Sequence, residues 1–68
     1  MFNLYDCVRL KKDRDDLGIK ATFGGTVIDV LENGAVYTVE FFDTDNKTAI
    51  ESIFTHFAKD ELVLAERE

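Results

Sequence analysis

The chain has 68 residues, 46% of them hydrophobic and 32% charged, which is globular composition and excludes disorder. A domain this short buries only about 60% of the surface that its unfolded form exposes, so the core is small. Fourteen Asp and Glu against eight Lys and Arg give a net charge of −6, which disfavours duplex binding through phosphate neutralisation and adhesion to anionic membranes.

Cys7 is the only cysteine. It excludes an intrachain disulfide and any cysteine-based metal site. No apolar run reaches the roughly 20 residues of a membrane span. The start, Met1 to Asp6, has neither a basic segment nor an apolar signal core. The expectation is a single cytoplasmic domain over residues 1–68, with 65–68 as a polar tail.

The first strand is expected over Tyr5 to Lys11, where Val8 and Leu10 alternate with Arg9 and Lys11. A polar loop, Lys12 to Lys20, follows. It carries Asp13, Asp15 and Asp16, which read as a solvated loop or as an attractor for a basic partner or a cation. Gly24-Gly25 opens the next strand and suggests a bulge there or a sharp corner. Asn33-Gly34 lies between two β-branched runs, Thr26 to Leu31 and Ala35 to Phe42, and predicts a type I′ hairpin.

In the second of those runs Tyr37, Val39 and Phe41 share one face. Val36 and Phe42 then fall on the other. Asp43 to Asn46 suits a turn built on side-chain-to-backbone hydrogen bonds. Its Asp43-x-Asp45-Asn46 start resembles a calcium loop, but Thr48 and Phe54 stand where that loop needs Gly and Glu. Lys47 to Phe54 is expected as a strand with Ile50 and Phe54 inward. Thr55 to Asp60 is expected as one helical or 3₁₀ turn, and Leu62 to Leu64 as a short closing strand.

The expected inward set is Val8, Leu10, Val27 or Ile28, Val30, Tyr37, Val39, Phe41, Ile50, Phe54 and Leu62. The choice between Val27 and Ile28 depends on where a bulge shifts the register. The fold class is all-β, five short strands with one 3₁₀ or helical turn before the last. Such a sheet protects its edges best by curling into a small barrel.

This order of strand, long loop, three-strand meander, 3₁₀ turn and closing strand resembles SH3-like barrels. Leu4 to Leu10, Gly25 to Val30, Tyr37 to Phe41 and Glu61-Leu62 look like a family of very short bacterial proteins known as domain of unknown function 4926. That resemblance covers nearly the whole chain and implies no catalytic residue. Leu4-Tyr5-Asp6 followed by an acidic loop also resembles signalling SH3 domains. Their polyproline groove needs a Trp, which this chain lacks, and a second Tyr where Cys7 stands.

Catalytic candidates are few. His56 is the only histidine and reads as a turn residue rather than an oriented general base. Cys7 has only Arg9 to lower its pKa and reads as a small packing residue. The expectation is therefore no enzyme and no cofactor or metal. The function expected is a protein-interaction module that docks to a protein partner or to itself. The alternatives are a nucleic-acid-binding barrel of the ribosomal or transcription-factor type, an accessory subunit, or a small antitoxin- or immunity-like protein. The residues expected at an interface are Phe42, Val36, Asp13, Asp15 and Asp16. Phe42 is too large to be incidental on an outer face. It suggests either a homodimer or a partner-docking surface, with Phe2, Ile53 and Val63 as further outward candidates, unless a bulge turns it back into the core.

Overall fold

A computed structural model describes residues 2–65. It is all-β, with five strands: β1 (Cys7–Leu10), β2 (Gly24–Leu31), β3 (Val36–Phe42), β4 (His56–Ala58) and β5 (Leu62–Leu64). They form one sheet in the order β4-β3-β2-β1-β5, and every pairing is antiparallel. One short helix, α1 (Ile50–Ile53), lies between β3 and β4, and a 3₁₀ turn, Lys59–Glu61, joins β4 to β5. No helix of the described residues is long and apolar enough to cross a membrane.

The core follows from alternation on the strands. Val8, Leu10, Val27, Tyr37, Val39, Phe41 and Leu62 are buried as the pattern requires. Val30 is half-buried against them. Two further core residues, Ile19 and Phe57, are fully buried but lie in segments with too little periodicity to reveal them. Ile19 sits in the long loop, where Arg14 and Ile19 exchange two backbone hydrogen bonds of 2.8 and 3.1 Å and turn the isoleucine inward. Phe57 is the middle residue of the three-residue β4, and its ring meets Phe41 edge-on at 5.3 Å.

Four local expectations are corrected. The register pairs Leu31 with Val36, so the β2–β3 connection has four residues rather than the two of a type I′ turn. Left-handed φ extends over Glu32, Asn33 and Gly34. The bulge lies at Ile28, between the Val27–Val39 and Asp29–Thr38 pairs, whereas Gly24 and Gly25 pair regularly with Phe42 and Phe41. Val27 is therefore inward and Ile28 is 40% exposed.

The third and fourth corrections exchange two elements. Lys47 to Phe54 holds an isolated bridge, Thr48 to Phe42, and then α1. The next segment, where a helical or 3₁₀ turn is expected, begins as strand β4, and the 3₁₀ turn before the last strand is present but starts only at Lys59. Ile50 and Phe54 consequently point outward, 63% and 76% exposed. The inward residue of α1 is Ser52. β4 covers only Val36, Tyr37 and Thr38 of the β3 edge, and the segment from Thr48 to Ser52 covers the remainder. Ala49 N–H donates to Phe41 O at 2.8 Å. Phe41 N–H donates to the Ser52 hydroxyl at 3.0 Å, and that hydroxyl donates to Ala49 O at 2.6 Å. A buried side chain thus replaces a strand's backbone in satisfying the ladder.

Candidate functional site

The long loop is built around its own charges. Arg14 donates from Nε and Nη2 to both Asp16 oxygens at 3.1 Å, and from Nη1 to Glu61 at 2.7 Å. Its guanidinium lies 5.9 Å from the centre of the Phe57 ring. The hydrogen bonds from Arg14 hold the Asp16 carboxyl below its ordinary range, and Asp16 in turn raises the Arg14 pKa. Asp13 accepts from Ala21 N–H at 2.7 Å. Lys20 Nζ lies 4.0 Å from carboxylate oxygens of Asp13 and Asp15.

The structure brings Asp13, Asp15 and Asp16 together, but as a cluster largely answered from within. Asp16 is committed to Arg14, and Asp13 shapes the loop. Asp15 is the acid of the three that remains most open to solvent. The Asp43 turn is internally engaged too. One Asp43 oxygen accepts from the backbone N–H of both Asp45 and Lys47, at 2.8 and 3.0 Å.

Phe42 and Val36 are both half-buried on the outer face of β3. Six residue steps of strand separate them, about 20 Å, so they do not share a patch. Phe42 lies across from Gly24 and lines a shallow groove of about 300 Å³ with Cys7, Arg9, Thr26 and Asn46. A Cβ built on Gly24 meets nothing within 4 Å, so this glycine helps keep the groove open. The bulge at Ile28 does not turn Phe42 into the core. Of the further outward candidates, Val63 is 46% exposed, Ile53 is half-buried, and Phe2 packs edge-on against Tyr37 at 5.3 Å.

Cys7 is half-buried on β1 and His56 is exposed on β4. Three strand spacings, about 14 Å along the sheet, lie between those strands. The pair is not positioned to act as nucleophile and base.

The surface that sequence reasoning missed is on α1. Ile50, which opens α1, and Phe54, which immediately follows it, are the two most exposed large aliphatic or aromatic residues of this segment. Glu51 is exposed between them, and exposed Asp45 lies in the preceding turn. Their spacing of four was visible in the sequence, but it also fits a strand's period of two.

A family model described as a domain of unknown function (DUF4926) matches residues 4–53, most of the chain. No curated protein and no solved structure matches it.

Proposed function

We propose that this chain, which belongs to the DUF4926 family, is a non-catalytic protein-interaction module. The observation that carries the reading is the outward face of α1. Phe54 and Ile50 are 76% and 63% exposed, whereas the core side chains are exposed by 3% or less. A phenylalanine that open to water costs hydration free energy that a partner's surface would recover.

Charge indicates the kind of partner. A net charge of −6, with exposed Glu51 between the two apolar residues in the chain, favours an apolar pocket rimmed by Lys or Arg. It disfavours nucleic acid, since Arg14 and Lys20 face carboxylates of their own loop. The distance between Cys7 and His56 supports the absence of catalysis.

The test uses the tagged chain as bait in its native host, beside an Ile50→Asp/Phe54→Asp variant. Both side chains are largely outside the core, so the variant is expected to keep the wild-type melt. The wild type should retain a basic protein that the variant loses. Equal retention by both would remove the α1 face from the interaction.

A further inference from the structure

Gly24 leaves a gap in a row of side chains. Val8 pairs with Gly25, and Gly24 with Phe42, so Arg9, Gly24 and Phe42 follow one another across the outer face of β1, β2 and β3. The backbones of Arg9 and Phe42 are two strand spacings apart, about 10 Å, with no side chain between them. An aromatic ring on a neighbouring strand can fold over such a glycine. Phe42 does not, because a Cβ built on Gly24 meets nothing within 4 Å. The gap is the floor of the groove of about 300 Å³, a size at the lower end of small-molecule sites.

The uncommitted polar groups beside that floor can all donate. Arg9 is exposed and joins none of the ion pairs among the described residues. Thr26 and Asn46 also line the groove, with a hydroxyl and an amide. Asp43 supplies the one carboxylate of the lining, and it is engaged. A single oxygen of it accepts from the backbone N–H of Asp45 and Lys47, at 2.8 and 3.0 Å. The walls therefore pair an aromatic ring with an unanswered guanidinium, a group whose geometry matches a carboxylate.

We propose that this groove binds a small aromatic carboxylate. The ring lies over Gly24 against Phe42, and the carboxylate meets Arg9, with Thr26 and Asn46 as further donors. One ring and its carboxylate fill a gap of one missing side chain, which favours a free small molecule over the end of a peptide. The net charge of −6 opposes an anion at long range. Salt screens that repulsion beyond about 10 Å, whereas the contact with Arg9 is direct. The groove shares no residue with the α1 face and does not depend on it.

The probe is benzoate, compared with benzamide, which lacks the charge, and with cyclohexanecarboxylate, which lacks the flat ring. The readout is amide chemical shift in the full chain at neutral pH. Benzoate should shift Arg9, Gly24 and Thr26 saturably, and the other two should bind about tenfold more weakly. Gly24→Val places a strand-favouring side chain in the gap, and should keep the melt and abolish the shifts. Arg9→Gln should bind benzoate no better than benzamide, while Ile50→Asp/Phe54→Asp should bind benzoate like the wild type. Undiminished binding by Gly24→Val, equal binding of benzoate and benzamide by the wild type, or benzoate shifts absent or confined to α1 would overturn the proposal. So would tighter binding of a peptide with a free C-terminal phenylalanine, because the occupant would then be a chain terminus. The three probes on the wild type, with Arg9→Gln, decide the matter should Gly24→Val fail to fold.

Discussion

Gly24 and Gly25 are adjacent in the chain and have opposite requirements. A Cβ at Gly25 would stand 2.7 Å from side-chain atoms of Val39 and Phe41, whereas one at Gly24 meets nothing within 4 Å. Gly25 is the only kind of residue that lets β2 lie this close under the core rings. Gly25→Ala is expected to destabilise by about 1–3 kcal/mol through overpacking. Gly24→Ala should be neutral or stabilise by up to about 1 kcal/mol, since glycine is the poorer strand residue. Paired denaturant melts check both, and a loss at Gly24→Ala with none at Gly25→Ala would show that the two faces have been exchanged. Ser52 is the second decisive residue. Its hydroxyl is the acceptor for the Phe41 N–H at a fully buried position. Ser52→Ala leaves that donor without its partner and should cost about 1–3 kcal/mol. An unchanged melt would mean that water or a shifted backbone takes over.

Among the elements, those with a long period-2 pattern were legible and the short ones were not. Tyr37, Val39 and Phe41 declare β3, and Val8 and Leu10 declare β1, because one face of each strand is buried and the other is not. His56-Phe57-Ala58 is too short to show a period. Ile50 to Phe54 fits a strand or a helical turn equally, and the choice is made by tertiary contact, when Ser52 takes the place of a strand beside Phe41. The same ambiguity hid the candidate site: Ile50 and Phe54 resemble core residues in sequence and become surface once the segment turns. The acidic loop was legible as charge but not as pairing, since Glu61, the second carboxylate on Arg14, lies 47 residues away. That pairing gives the loop a pH dependence. Asp16 has a folded pKa below its usual 3.8, so its contribution is present above that value and is lost as pH falls through the folded one. Asp16→Asn should therefore melt slightly below the wild type at neutral pH, and the two should converge under acid. The exposed pair is also screened by salt, so the gap should narrow as ionic strength rises. A gap that widened under acid would reverse the sign.

For the whole molecule, apolar attraction and charge repulsion oppose each other between copies. Ile50, Phe54, Val63 and Leu64 are exposed on a chain of only 7.7 kDa, enough apolar surface to promote association if nothing resists it. The net charge of −6 at pH 7 resists it, and the resistance disappears toward the pI of 4.6. Phe42 adds little to the attraction, because its ring is half-buried along the groove beside Gly24. The expected outcome is a single-chain mass at pH 7 in low salt and a rising mass as pH approaches the pI, measured by light scattering. Salt at pH 7 should act in the same direction by screening the repulsion. Ile50→Asp/Phe54→Asp should reduce the rise on two counts, because it removes apolar area and moves the pI lower. Phe42→Asp should reduce it much less, since only part of that ring is available to a neighbour. A stable dimer at pH 7 in low salt would show that apolar burial outweighs six like charges, and the acidic surface would then no longer select for a cationic partner.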